Sequence, residues 1–160
     1  IAERRVVSGV AYARDQARIA VLGAAPQSGF AAKAFAILSE AEIGVDMIVQ
    51  AHGREPDTVN LEFSVAHRDL NRAQSALERG LPGVRIGSET GLAKVSVVGA
   101  GPRQRADVAR SLFGVLGESG IAVKVLATSE IKISALIDND AVERAVRALH
   151  AAYGLDRMGN

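Results

Sequence analysis

Apolar positions along the chain switch between a period near two and a period near 3.6, and the switches mark out alternating strands and helices. Ile19 to Leu22 is a short β-branched run ended by Gly23, and Pro26, Ser28 and Gly29 supply turn chemistry before Phe30. From Phe30 to Ala41, the residues Phe30, Ala34, Ile37, Leu38 and Ala41 share one helical face. Gly44 interrupts that helix, Val45 to Val49 reads as a second strand, and His52 to Asp57 as a polar turn. Val59, Leu61, Phe63 and Val65 then alternate with Asn60, Glu62 and Ser64, the signature of a strand with one wet face. Asp69 opens a helix over Leu70 to Glu78 that stops at Gly80, and Val84 to Ile86 closes the series as a short fourth strand.

The order then repeats. Ala17-Arg18-Ile19-Ala20-Val21-Leu22-Gly23-Ala24 returns 76 positions later as Ala93-Lys94-Val95-Ser96-Val97-Val98-Gly99-Ala100, and Phe35, Leu38 and Ile43 return 78 positions later as Phe113, Leu116 and Ile121. Strand 95–98, helix 106–119, strand 123–127, strand 131–137 and helix 141–153 follow, after which Gly154 to Asn160 is too short and polar for a fourth strand. Residues 5–12, however, are strand-like and not needed by the first copy. The expected architecture is therefore α+β: two tandem βαββαβ, ferredoxin-like modules over residues 16–88 and 89–160. Each has an antiparallel four-stranded sheet with its helices on one face, and the strand at 5–12 completes and interlocks the second. Modules this small bury little surface alone, so pairing of sheets is expected.

Composition narrows the function. Hydrophobic residues at 48% and charged residues at 23% belong to a packed fold. The net charge of +1 is spread over 19 basic and 18 acidic residues, which leaves no basic stripe for a nucleic acid. No apolar run approaches the roughly 20 residues that span a bilayer. The absence of cysteine and the charged, non-signal-like stretch Ile1 to Arg5 make the cytoplasm the expected compartment. A start at Ile1 rather than methionine reads as the edge of something longer.

The segment Gly23 to Phe30 leads from a strand end into a helix N-terminus, where free N–H groups and the positive end of the helix dipole suit a carboxylate; an ordinary turn has the same sequence signature. Gly99-Ala100-Gly101-Pro102-Arg103 is glycine-rich at the matching place but lacks dinucleotide-loop spacing. Asp46 could hold an ammonium group and Gln50 could both donate and accept, or each could be a solvated strand residue. His52, His67 and His150 lack metal-ligand spacing, Glu130 stands without a catalytic constellation, and no Walker or kinase glycine loop is present, so neither catalysis, metal nor cofactor is expected.

Taken in order, Val7–Ala11, Arg18–Gly23, Gly29–Phe35, Ile43–Gln50, Lys94–Gly101 and Thr128–Ser134 resemble the C-terminal regulatory region of the aspartate kinases. The resemblance spans nearly the whole chain and implies two ACT modules, without the catalytic domain, as in the separately translated β subunit of some bacteria. It further implies a homodimer that pairs the first ACT module of one chain with the second of another, works with a catalytic subunit, and feeds back on aspartate phosphorylation. Carried over by position, the effector-binding residues are Gly23, Ala24, Ala25, Gln27 and Gly29 with Val45, Asp46, Gln50 and Ala51, faced by Thr128, Ser129 and Glu130 of the partner module. In that reading the effector's carboxylate meets the N–H groups after Gly23, its ammonium meets Asp46 or strand carbonyls, and its side chain meets Gln50. A compact pocket favours threonine over lysine, with concerted inhibition by both as a variant. The family's Asp-x-Pro-Gly loop is replaced here by Pro26-Gln27-Ser28-Gly29, which removes an aspartate contact but not the backbone cradle. An ACT sensor for a different enzyme would share the fold.

Overall fold

The computed structural model describes residues 7–99 and 101–155. Among the described residues, six strands and four α-helices follow in the order β1 (Gly9–Ala24), α1 (Phe30–Glu40), β2 (Asp46–His52), β3 (Val59–Ala66), α2 (Leu70–Gly80), β4 (Arg85–Val98), α3 (Arg105–Glu118), β5 (Val125–Thr128), β6 (Lys132–Asp138) and α4 (Val142–Ala152). They form two compact units: Asp15–Thr90, and the described residues up to Arg14 together with those from Gly91 on.

In the Asp15–Thr90 unit the strands lie in the order β2-β3-β1-β4, with β3 antiparallel to both its neighbours β1 and β2. Ile19, Val21, Leu61, Phe63 and Val65 point to one face, where Phe30, Ala34 and Leu38 of α1 and Leu70, Ala73 and Leu77 of α2 cover them. The i, i+4 spacing in α1 and the alternation along the strands are what permit this two-layer core. Phe35 adds a tilted ring contact to Phe63, 5.9 Å between centroids.

The other unit has the order β1-β4-β6-β5, with β6 antiparallel to β4 and β5. Val95, Val97, Ile133, Ala135 and Ile137 meet Val108, Leu112 and Leu116 of α3 and Val142, Ala145 and Leu149 of α4. Val7 belongs to this core, and the Ser8 N–H donates to the Val98 carbonyl at 2.8 Å. Residues 5 and 6 of the predicted N-terminal strand lie outside the described residues, as do 156–160. Buried Ser96 and Ser134, directly opposed across β4 and β6, bond to each other at 2.7 Å, so neither hydroxyl is left unsatisfied.

The structure departs from the sequence pattern at two places. The pattern separates a strand at 5–12 from one at 19–22, and one at 84–86 from one at 95–98, whereas β1 and β4 are continuous strands of 16 and 14 residues. Asp15 and Gly91, at φ 57° and 71°, sit where each strand passes from one unit into the other. The positive φ and the polar residues around these points break the alternation without ending the strand. Among the described residues, no helix is long and apolar enough to cross a membrane.

Candidate functional site

The turn after β1 is built from two left-handed glycines, Gly23 at φ 70° and Gly29 at φ 74°, a conformation that costs an L-residue about 1–2 kcal/mol. Between them Pro26–Ser28 forms a 3-10 turn, closed by the Ser28 N–H and hydroxyl, both donating to the Ala25 carbonyl at 3.1 and 2.7 Å. Ala24 is buried as an anchor, whereas Gly23, Ala25, Gln27 and Gly29 are exposed. Helix α1 starts at Phe30 with no side chain capping it, and the N–H groups of its first turn have no intrahelical acceptor. The Gly23 N–H is not among the free donors, because Asn60 Oδ1 accepts it at 2.8 Å.

Strand β2 is the outermost strand of its unit. Its register with β3 pairs Gln50 with Leu61, Ala51 with Asn60 and His52 with Val59, while Ala24 of β1 also pairs with Val59. Exposed Gln50 and Ala51 thus stand at the same end of the sheet as the turn, two strand spacings or about 10 Å across. Asp46 instead pairs with Ser64, five positions along β3 from Val59, which is roughly 16 Å. Its carboxylate accepts the Met47 N–H at 2.8 Å, at a bulge where Met47 takes φ 46° and buries its side chain. Val45, just before the strand, packs against the core. The Gln50 end of β2 therefore lies on the turn's side of the sheet, and Asp46 of the same chain lies at the opposite end.

Thr128, Ser129 and Glu130 lie in the other unit, exposed at the end of its outermost strand β5. The Ser129 N–H closes the hairpin on the Lys132 carbonyl at 2.8 Å. The Arg105 guanidinium donates to the Ser129 and Glu130 carbonyls at 2.7 and 2.9 Å, fixing the backbone of this segment. Sequence reasoning passed over Arg105, because nothing in a helix start predicts a bond 24 residues away. It also passed over Asn60, which reads as one more polar residue on the wet face of β3. Among the described residues no group of three or more His, Asp or Glu side chains is placed to hold a metal.

A cleft of about 510 Å³ opens at the turn's end of the Asp15–Thr90 unit, lined by Leu22, Gly23, Arg54, Glu55, Asn60, Gly83 and Arg85. Of the expected effector residues, Gly23 is the one on its wall.

Compared with known proteins, the chain matches the ACT domain family twice, over residues 19–81 and 95–153. It is similar over 97% of its length to an aspartokinase of Helicobacter pylori at 40% identity, while spanning 38% of that protein. Among solved structures, it is similar to the ligand-free regulatory subunit of aspartate kinase from Thermus thermophilus: TM-score 0.82 and 36% identity, over 92% of this chain and 98% of that one. The chain belongs to the aspartate kinase regulatory ACT family. An aspartate kinase from Synechocystis shares the arrangement at TM-score 0.85 and 30% identity, with 94% of this chain matched to 27% of that one. The aspartate kinase regulatory region matched here is the non-catalytic part of such proteins, and the chain spans about 38% of the curated relatives it resembles. Both family matches fall on the β-α-β-β-α order described above, one in each unit.

Proposed function

We propose that this chain is the regulatory part of an aspartate kinase that binds an amino-acid end product, threonine, where ACT modules of two chains pair, and thereby inhibits aspartate phosphorylation. The observation that carries the reading is the uncapped N-terminus of α1, opening beside the Gln50 end of an outermost strand. The carboxylate of the effector accepts from the first-turn N–H groups between Gly29 and α1, and Gln50 contacts its hydroxyl side chain. The space beside a tight Ala-Gly turn suits a short side chain better than the long ammonium-tipped chain of lysine, which stays as the alternative effector or as a co-inhibitor.

The modules acting in this pairing are residues 16–88 and 89–160, the second completed by the segment 5–12. If β2 of one chain runs antiparallel to β5 of the other, Asp46 at the start of β2 stands opposite the end of β5. Thr128, Ser129 and Glu130 of the partner subunit then face Asp46 at that end of β2, roughly 16 Å from the α1 turn, and the effector's ammonium group meets strand carbonyls at the Gln50 end instead. An effector that favours one arrangement of the pair biases an attached catalytic part by its differential affinity alone.

The test is inhibition. With the catalytic part of the enzyme supplied, threonine is expected to lower aspartate phosphorylation by the wild-type assembly, and Gln50→Ala to need at least tenfold more threonine. Undiminished activity at saturating threonine and lysine, with the chain bound to the catalytic part, would refute the reading and leave an ACT sensor for a different enzyme.

A further inference from the structure

The cleft beside Gly23 is not accounted for by the effector turn. Three segments at one end of the Asp15–Thr90 unit assemble it: the end of β1, the β2–β3 hairpin carrying Arg54 and Glu55, and the run from Gly83 into Arg85, the first residue of β4. Neither guanidinium has an ion-pair partner among the described residues. Asn60 is fixed on the wall, since its Oδ1 accepts the Gly23 N–H at 2.8 Å, and its amide NH2 is left as a further donor. Two like charges sharing one concave surface repel each other until an anion sits between them, and guanidinium forks bind carboxylate and phosphate through paired N–H bonds. Glu55 gives the same wall one anionic acceptor, which a bare inorganic anion does not use and an ammonium group does.

We infer that this cleft is a second ligand site, taking a small amino acid that carries an additional acidic group, either carboxylate or phosphate. Arg54 and Arg85 grip the two acidic ends, and Glu55 receives the amino group. The inference rests on the regulatory reading only in that it adds a second metabolite to the same chain; its chemistry is opposite to that of a neutral end product at the α1 turn.

The test uses the 160-residue chain in amide NMR titrations at constant ionic strength, with L-aspartate, O-phosphoserine and succinate as probes. Saturable shifts at the Gly23 and Gly83 amides are expected for aspartate, for phosphoserine or for both, and which of them binds identifies the second acidic group. Arg54→Ala with Arg85→Ala is expected to weaken that binding at least tenfold, with the paired lysine replacements falling in between. Glu55→Gln is expected to weaken the amino acids but not succinate. No saturable shift with any probe overturns the inference, as does equal binding by the double alanine variant; succinate binding as tightly as aspartate overturns the amino-acid assignment. Threonine binding measured on the same double variant keeps the two sites apart. Threonine retained while the acidic ligand is lost is the predicted result, and threonine lost with it would mean that the two sites are one.

Discussion

Glu42 and Gly120 occupy the same place in the two halves of the repeat, 78 positions apart, and both take a left-handed conformation, at φ 57° and 70°. Each follows a helix whose last turn is closed in the same way, Ile43 N–H to the Leu38 carbonyl at 3.0 Å and Ile121 N–H to the Leu116 carbonyl at 2.8 Å. A Cβ at Gly120 would meet nothing within 4 Å, so the cost of replacing it is conformational rather than steric. Gly120→Ala is expected to destabilise the chain by about 1–2 kcal/mol, and Glu42→Gly to stabilise it by up to ~1 kcal/mol, read by denaturant unfolding. Opposite signs at these two positions are the expectation, and two changes of the same sign would contradict it.

Tyr153 carries a second residue-scale prediction. Burial raises its phenol above the usual value near 10, partly offset by the hydrogen bond with Ser111 at 2.6 Å. A raised folded value means that the native state holds the proton more tightly. The stability this contributes is fully present below the unfolded value near 10 and is lost as pH rises through the folded value. Tyr153→Phe should therefore lose about 0.5–1.5 kcal/mol at neutral pH, from the missing bonds to Ser111 and the Val108 carbonyl, and lose less than wild type between pH 9 and 11. Parallel stability-versus-pH curves for the two proteins would show that the hydroxyl is not held as described.

Among the elements, the outermost strands carry the weight of the proposal. Ile48 on β2 and Ile131 beside the β5–β6 hairpin are large, apolar and more than half exposed, at 53% and 59%. An apolar side chain on an unpaired strand edge invites another strand. Ile48→Glu is expected to change the stability of the fold by no more than ~0.5 kcal/mol while weakening self-association at least tenfold, measured by equilibrium sedimentation. An unchanged association constant would remove β2 from the interface.

The helices and the paired strands were legible because each shows one apolar face at a clear period: Phe30, Ala34 and Leu38 in α1, and Leu61, Phe63 and Val65 in β3. The continuity of β1 and β4 was not legible, since Asp15 and Gly91 interrupt the pattern while the backbone pairing goes on. The turn at Gly23 to Gly29 was legible from its glycines and proline. The separation of Asp46 from that turn was not, because strand register across β3 is set by pairing partners that spacing along the chain does not reveal.

At the scale of the whole molecule, the repeat supplies two ACT units that each leave one outer strand, β2 or β5, without a neighbour on its far side among the described residues. The proposed effector site lies beside an outermost strand: the turn and Gln50 stand at one end of β2, whose far side is open to a second chain. Pairing with a second chain ties effector binding to association, and linkage makes the effect reciprocal, so an effector held at the interface strengthens the interface by the same factor. The most direct measurement is sedimentation velocity of the 160-residue chain, at a concentration where monomer and dimer coexist, with and without threonine. A threonine-dependent shift toward the dimer, absent with an unrelated amino acid, is the predicted result. A chain that stays monomeric at all concentrations and does not respond to threonine or lysine would contradict the account at its base.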